Sequence, residues 1–300
     1  MGAELDVSVV IPAFNAERTV GRVVEALRSQ EPAPAEIIVV DDGSHDRTGP
    51  VAEAAGARVV RNDPPRFAGG ARNSGWKVAT RPVVVFLDSD AIPAPGWGAG
   101  LERALREFPG ALIGCARTFD SRTAWGWVAH LQGETPYLPL GEPRKVAFLS
   151  SYCVAVPRDV PFRWDESYGG EDGVFCAEAK AAGVDLVFDP RFHAHHDHDR
   201  ETWADLRRQQ RRTAYGIVRT RRVVDEGPVR GFFARVPLHH FALLRLPVIY
   251  RRLLTQPELR DRFLQNLPRL VVAEWTLGAS ATRYALRPPP AQGQSGTGFR

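Results

Sequence analysis

Two aspartates separated by one residue, Asp88 and Asp90, directly follow the apolar run Pro82-Val-Val-Val-Phe-Leu87. Side chains two residues apart in an extended segment point to the same side, so the two carboxylates would converge. Such a pair, together with the phosphates of a substrate, is a common ligand set for a hard divalent cation such as Mg²⁺ or Mn²⁺. Aspartate is also frequent in turns at strand ends, so the pair by itself leaves a structural role open.

Polar residues also follow two earlier apolar runs. Val7-Ser-Val-Val-Ile11 precedes Pro12-Ala-Phe-Asn15, and Glu36-Ile-Ile-Val-Val40 precedes Asp41-Asp-Gly-Ser44. Carboxylates gathered at one edge of a sheet repel one another, so a cation or a hydrogen-bonding ligand is needed to offset the repulsion. The pattern therefore predicts a ligand site at the ends of these runs.

The elements that would position these residues alternate between strand and helix. Their predicted bounds are 7–11, 36–40, 57–60 and 82–87 for the strands, and 18–29, 48–55 and 71–79 for the helices. This alternation predicts the α/β class, with a parallel sheet covered by helices on both faces. Ligands of such sheets bind at the carboxyl ends of the strands, where the polar residues lie.

A second part of the chain combines an acidic pair with a run of histidines. Glu171 and Asp172 follow two glycines and begin a helical pattern at 174–182. Strands are predicted at 146–150 and 153–156, as part of a mixed sheet, and at 184–188. Four histidines follow the last strand: His193, His195, His196 and His198. No cysteine and carboxylate frame surrounds them, which argues against a dedicated zinc site.

The charge of the chain is concentrated in its last third. Residues 201–300 contain 18 arginines against seven acidic residues, whereas the whole chain carries a formal charge of only +4. Such an excess indicates an anionic partner or a solvated helical face. In residues 229–254 arginines alternate with Phe and Leu, which favours peripheral contact with an anionic membrane surface over nucleic-acid binding. A helical subdomain that packs on the catalytic domain or on a second copy is the alternative, so a homo-oligomer stays open.

The cysteines and the N-terminus favour a cytoplasmic location. Cys115, Cys153 and Cys176 are far apart and form no CxxC motif, so neither a disulfide framework nor a zinc knuckle is indicated. The chain begins without the pattern of a secretory signal, and no apolar run reaches the ~18 residues of a membrane span. We therefore expect a cytoplasmic protein, with peripheral contact on the inner face of the cell membrane.

Five motifs occur in a fixed order along the chain. They are Val-Ile-Pro-Ala-Phe-Asn, Val-Val-Asp-Asp-Gly-Ser, Ala-Arg-Asn-Ser-Gly, Phe-Leu-Asp-Ser-Asp and Gly-Gly-Glu-Asp. Over residues 6–216 the chain resembles the family 2 glycosyltransferases of the GT-A fold. The resemblance implies a mostly parallel, Rossmann-like central sheet flanked by helices. We expect a catalytic domain at 1–222, a basic helical extension at 223–287 and a disordered tail at 288–300.

The resemblance also implies an activity and a set of site residues. The reaction would be inverting transfer from a nucleotide diphosphate sugar, UDP-sugar by default, to a hydroxyl of a glycan, a lipid-linked sugar or another acceptor of envelope or glycolipid synthesis. Asp172 would be the catalytic base and Glu171 would hold the acceptor, while Asp90 and His196, with His198 as second choice, would bind Mg²⁺ or Mn²⁺. The nucleotide sugar would contact Pro12, Ala13, Phe14, Asn15, Asp41, Asp42, Arg72, Asp88 and Ser89.

Other functions stay open to different degrees. A catalytically silent nucleotide-sugar-binding protein would share the fold, and so would a sugar nucleotidyltransferase, although the first turn lacks the Gly-rich basic loop expected for a triphosphate. A dinucleotide-dependent oxidoreductase is disfavoured because Gly-x-Gly-x-x-Gly is absent from that turn. Gln209 to Arg212 resembles part of the Gln-x-x-Arg-Trp motif of processive synthases, but Thr213 replaces the tryptophan, which favours single transfer. Trp125, Trp127 and Trp164 are candidates either for stacking on an acceptor sugar or for the core.

Overall fold

The computed structural model describes residues 4–198, 200–224 and 243–286. These residues form two compact units, one of residues 4–118 and 139–197, the other of the remaining described residues. The first unit contains β1 (Glu4–Ala13), α1 (Val20–Arg28), β2 (Ala33–Asp41), α2 (Thr48–Ala54), β3 (Arg58–Arg61), α3 (Phe67–Val78), β4 (Val83–Leu87), β5 (Ala91–Pro93), α4 (Trp97–Glu107), β6 (Leu112–Thr118), β7 (Arg144–Lys145), β8 (Cys153–Pro157), α6 (Glu171–Ala181) and β9 (Leu186–His196). The second contains α5 (Ala124–Gly133), a 3₁₀ turn (Thr135–Tyr137), α7 (Trp203–Val223), α8 (Arg245–Arg252), α9 (Pro257–Gln265) and α10 (Leu267–Leu286).

The strands of the first unit form one mixed sheet. Its order is β3-β2-β1-β4-β8-β6-β9-β5, and β7 pairs with β9. The pairs β3-β2, β2-β1, β1-β4 and β6-β9 are parallel, and the pairs made by β8, β5 and β7 are antiparallel. The predicted α/β class is confirmed: the four strands found in the first ninety residues are parallel to one another, and β6 and β9 form a further parallel pair. Their apolar runs are buried because helices cover the sheet.

The predicted strand at 146–150 is wrong. Only Arg144 and Lys145 form a strand there, and Phe148 is exposed. The backbone N–H of Leu149 donates to the thiol of Cys176, and that thiol donates back to the carbonyl of Leu149, each at 3.3 Å. A side chain therefore satisfies the backbone groups that a strand would have paired.

The predicted strand at 184–188 starts later and extends further than its apolar run. β9 continues past Pro190 to His196, with a shift of register opposite Cys115 and Ala116 of β6. Proline has no N–H to donate, so it is accommodated at this irregularity. The extension carries the histidines into the sheet, and burial alternates so that Ala194 and His196 lie on the buried face.

The second unit is held by helix packing and by a buried polar network. Ala214 and Val218 of α7 pack on Leu277 and Ala281 of α10. The network has Glu274 at its centre, which is fully buried and bonds to Gln132 Nε2 at 3.2 Å and to Arg245. Burial raises the pKa of Glu274, while the guanidinium and the amide act to lower it. The unit thus contains a buried carboxylate whose partners come from two other elements.

The boundaries of the compact units differ from the predicted domain bounds. Residues 119–138 and 200–222 belong to the second unit, whereas the catalytic domain was predicted to run to residue 222. The predicted tail at 288–300 and residues 225–242 of the basic extension lie outside the described residues. None of the helices in the described ranges has the length and apolar character that a membrane span requires.

Candidate active site

The turns after β1 and β2 are locked to each other. Asn15 has a left-handed backbone with φ of 52°. Its N–H donates to Ser44 Oγ at 3.0 Å, and its Oδ1 accepts from the N–H of His45 at 2.9 Å. Phe14 is 54% exposed, with its ring 6.3 Å from that of His45. Together the two turns present an exposed ring face at the carboxyl edge of the sheet, next to the end of β2.

Asp41 and Asp42, at the end of β2, have different surroundings. Both are buried. Asp41 accepts from the N–H of Ser44 at 2.9 Å and pairs with the half-exposed guanidinium of Arg61. Asp42 instead accepts from Asn62 Nδ2 at 2.8 Å and from the N–H of Arg66 at 2.9 Å, which ties β2 to the start of α3. Burial raises the pKa of Asp42, and these bonds act against that effect.

Arg72 lies at the centre of the acidic residues. Its side chain is 3% exposed, which excludes an ordinary surface arginine. Nη2 donates to Asp88 Oδ1 at 3.0 Å and Nη1 donates to Glu171 Oε1 at 3.1 Å. Burial acts to lower the pKa of Arg72, but the two carboxylates outweigh it and raise the pKa. One buried cation thus links the Asp88-Ser89-Asp90 segment to the first turn of α6.

Two glycines near the start of α3 relieve close contacts, one of them with the segment that precedes α6. A Cβ on Gly69 would lie 1.9 Å from the carbonyl oxygen of Asp165, and one on Gly70 would lie 2.5 Å from Arg66 Cβ. The approach places Asn73 against Trp164, whose carbonyl accepts from Asn73 Nδ2 at 2.8 Å. Gly69 is therefore needed for the close approach of α3, which carries Arg72, to the chain before α6, and Gly70 leaves room for the side chain of Arg66.

The side chains of Asp88 and Asp90 have different surroundings. Asp88 pairs with Arg72, and its N–H donates to the carbonyl of Tyr152 at 2.9 Å. Burial raises the pKa of Asp88, Arg72 lowers it, and the charge of Asp90 raises it again. Asp90 instead faces His196, with 3.5 Å between Oδ2 and Nε2. The pairing of β5 with β9 causes this proximity, since Ala91 lies opposite His196.

The residues around Asp90 fit a divalent cation that a substrate helps to hold. The 3.5 Å between Asp90 and His196 is longer than an ordinary N–H···O hydrogen bond. A carboxylate oxygen and an imidazole nitrogen are both suitable for Mn²⁺, and Mg²⁺ is commonly bound by one or two carboxylates plus substrate phosphates. Within the described residues no group of three or more His, Cys, Asp or Glu forms a complete metal site.

Asp172 lies in the first turn of α6 with one free oxygen. The two glycines before the helix have φ of 71° and 79°, values that only glycine adopts without strain. Asp172 Oδ2 accepts from the N–H of Ser151 at 3.3 Å. Its Oδ1 is buried and has no hydrogen-bond partner among the described residues. Burial, together with the charge of Asp172, raises the pKa of the neighbouring Glu171.

The structure brings five of the predicted residues into contact, in two groups. Arg72, Asp88 and Glu171 are in direct contact, and Asp90 meets His196. His198 belongs to the second unit, where its ring stacks on His130 at 4.1 Å. Trp127 and Trp164 are buried, which assigns them to the core.

Three residues beside the site were not predicted from the sequence. Arg61 pairs with Asp41. Buried Arg117 of β6 stacks on the ring of Tyr152 at 4.1 Å, and that ring lies 4.8 Å from His196. An assignment of β6 as a strand would have identified Arg117 as an arginine in a buried strand. None of the three residues belongs to the five motifs.

Replacement of Arg72 by methionine is expected to lower the free energy of unfolding by about 3 kcal/mol, the order for breaking a buried ion pair from one side. Asp88 and Glu171 would lose their cation, so the pKa values that burial already raises would rise further. A carboxyl group whose pKa is higher in the folded than in the unfolded protein contributes more to stability as the pH falls. The difference in free energy of unfolding between the variant and the wild type, measured in urea, should therefore become smaller as the pH falls from 7 to 5. Lys77→Met, an exposed change on the same helix, is the control; equal effects of the two changes would contradict the prediction.

The fold is that of the GT-A glycosyltransferases. The model of glycosyl transferase family 2 matches residues 8–160, so the chain belongs to this family. The pre-mycofactocin glycosyltransferase of Mycobacterium tuberculosis is 30% identical over 209 residues, which cover 64% of this chain and 43% of that protein. A β-1,3-glucosyltransferase of Escherichia coli, which uses UDP-glucose and an N-acetylglucosamine linked to diphosphoundecaprenol, is 37% identical over 89 residues, 29% of this chain and 35% of that protein. The chain therefore spans less than half the length of these relatives.

Solved structures support the same fold. A mannosyltransferase of Pyrobaculum calidifontis, in complex with GDP-mannose and Mn²⁺, has a TM-score of 0.60 and 17% identity, covering 94% of this chain and 87% of that one. The glucosyl-3-phosphoglycerate synthase of M. tuberculosis, in complex with Mn²⁺, UDP and its product, has a TM-score of 0.50 and 23% identity, covering 74% and 81%. At these identities the likeness shows the fold.

Proposed function

We propose that the chain transfers a sugar from a nucleotide diphosphate sugar to an acceptor hydroxyl, with inversion at the anomeric carbon. The observation that carries the proposal is the buried, unpartnered Oδ1 of Asp172, next to the linked set Arg72, Asp88 and Glu171 in a family 2 chain. A carboxylate oxygen without a donor is suited to accept a proton from an incoming hydroxyl. The acceptor is a hydroxyl of a glycan or of a lipid-linked sugar, as in the E. coli relative.

In the proposed reaction, the bond to the acceptor forms on one face of the sugar while the bond to the diphosphate breaks on the other. As the acceptor oxygen forms its bond to the anomeric carbon, Asp172 takes the hydroxyl proton. The bond from that carbon to the diphosphate breaks on the opposite face of the sugar, and the diphosphate leaves with the bonding electrons. Arg72 bonds to both Asp88 and Glu171. In this proposal Asp88 contacts the donor and Glu171 holds the acceptor.

Asp90 and His196 would hold a divalent cation, Mg²⁺ or Mn²⁺. When bound, such a cation neutralises the charge that develops on the leaving diphosphate. The Mn²⁺ in the two glycosyltransferase structures that share the fold supports this assignment. The chemistry of the two side chains, an oxygen and a nitrogen donor that leave positions for phosphate oxygens, supports it independently.

The donor base is read at the end of β2. Asp41 is an acceptor, so it suits a base whose ring nitrogen carries a hydrogen at the recognised edge. Uracil, thymine and guanine have such an N–H, whereas the corresponding nitrogen of cytosine and adenine accepts. The ring of Phe14 offers a face for stacking. We therefore expect UDP-, dTDP- or GDP-sugars as donors, with UDP-sugar as the default.

A panel of nucleotide sugars tests the proposal. Purified protein with Mn²⁺ should release the nucleoside diphosphate from at least one UDP-, dTDP- or GDP-sugar when an acceptor glycan is present, and should not use ADP- or CDP-sugars. Donor binding with no turnover on any acceptor would favour a silent binding protein. Release of pyrophosphate from a nucleoside triphosphate and a sugar 1-phosphate would favour a nucleotidyltransferase, and either outcome would overturn the proposal.

A further inference from the structure

Helix α10 of the second unit is apolar on its exposed side. Leu267, Val271 and Trp275 recur every four residues and are 36%, 40% and 51% exposed, and Val272 beside them is 47% exposed. The opposite side packs within the unit through Leu270, Ala273 and Leu277. A helix that is apolar on both sides needs a second apolar environment besides the core. We call Leu267, Val271, Val272 and Trp275, with Trp125 and Trp203, the α10 patch.

The two tryptophans extend the patch beyond the helix. Trp125 of α5 and Trp203 of α7 pack ring to ring at 4.7 Å. With Pro268, Arg269 and Val272 they line a shallow depression of about 500 Å³. A sugar site needs several placed polar groups to bind hydroxyls, whereas this lining offers one guanidinium and two indole N–H groups. Tryptophan is instead typical of the boundary between lipid and water.

The exposed charges of α10 itself have one sign. The charged residues of α10 are Arg269, Glu274 and Arg283. Glu274 is fully buried and paired with Arg245, so the exposed charges of the helix are both positive. A two-fold contact with a second copy would bring the same arginines together, which is unfavourable. An anionic surface is complementary to them.

We propose that the α10 patch lies on an anionic lipid surface, with the tryptophans and valines in the headgroup boundary and Arg269 and Arg283 at the lipid phosphates. The membrane contact was predicted for residues 229–254, and the described part of that segment favours α10 as its place instead. There Arg245 bonds to the carbonyl of Gln132 at 2.8 Å, and Ile249 is buried. That helix packs within the unit and exposes one large apolar side chain, Val248, at 49%, whereas α10 exposes four along one side, Leu267, Val271, Val272 and Trp275.

Vesicle flotation of the full chain, without nucleotide sugar, tests this proposal separately from catalysis. Wild type should float with phosphatidylcholine vesicles that contain about three parts phosphatidylglycerol in ten, and much less with pure phosphatidylcholine. The double change Val271→Ser with Trp275→Ser should lower recovery on the order of tenfold, because it removes an indole and an isopropyl group from the boundary. Arg269→Gln with Arg283→Gln should lower it about tenfold or more on anionic vesicles only.

Leu254→Ser is the matched control, since Leu254 is 53% exposed and lies outside the patch. It should float like wild type, and all variants should keep the wild-type melting temperature because the altered side chains are exposed. Flotation of the Val271 and Trp275 variant at the wild-type level would overturn the proposal. Two other results would also overturn it, each in a wild type that does not float. One is a concentration-dependent dimer that this variant abolishes, and the other is binding of an acidic oligosaccharide.

Discussion

Replacement of Asp172 by asparagine is expected to lower turnover by about 10²–10⁴-fold, the span for a positioned general base. The fold should be kept, because the asparagine carbonyl can still accept from the N–H of Ser151 as Asp172 Oδ2 does. What is lost is the basicity of Oδ1, the buried oxygen that has no partner among the described residues. Since proton acceptance occurs only in the transition state, the affinity for the donor should stay nearly unchanged.

Calorimetric titration of the donor, paired with initial rates, measures both quantities for Asp172→Asn. Glu178→Gln makes the same chemical change at an exposed position of α6 and should leave turnover at the wild-type level. Near-normal turnover of Asp172→Asn would move the base to Glu171 or Asp165, and the inverting mechanism would lose its main support. A parallel fall in donor affinity would instead mean that Asp172 holds the donor.

The first half of the sheet could be predicted because its strands are recognisable from their local sequence patterns. β1, β2 and β4 are apolar runs between helical patterns, and each was placed within a few residues of its bounds. The segment from 91 to 133 received no assignment. There β5 has three residues, and β6 contains Gly114 and Arg117, so neither shows a clear strand pattern.

The sequence suggested residues for the candidate site but not their contacts with one another. The resemblance selected both Asp90 and His196, and only the long-range pairing of β5 with β9 brings them to 3.5 Å. Arg72 was expected to meet a diphosphate, yet its partners in the structure are the carboxylates of Asp88 and Glu171. Glu171 is 99 residues away along the chain, so no local pattern encodes that contact. The roles of these residues toward a ligand stay predictions.

Replacement of Asp90 by alanine is expected to abolish transfer and to make the enzyme insensitive to added metal. In the wild type, a chelator should remove activity, and Mg²⁺ or Mn²⁺ should restore it. The physical reason is that Asp90 supplies the anionic ligand and His196 a neutral one, so the variant leaves a single imidazole to hold the cation. Rates measured across a metal titration, and donor affinity with and without Mn²⁺, check both parts.

Asp185→Ala is the matched control for this change. Asp185 is a 55% exposed carboxylate of the same unit that pairs with Lys145, so its loss should leave both rate and metal response unchanged. Donor affinity adds a readout that does not depend on turnover: Mn²⁺ should strengthen donor binding to the wild type and to Asp185→Ala, but not to Asp90→Ala. If the wild type keeps full activity in excess chelator, Asp90 and His196 are not metal ligands. The 3.5 Å contact would then be an ion pair within the fold, and Arg72 would be the cation nearest to Asp88 and Glu171.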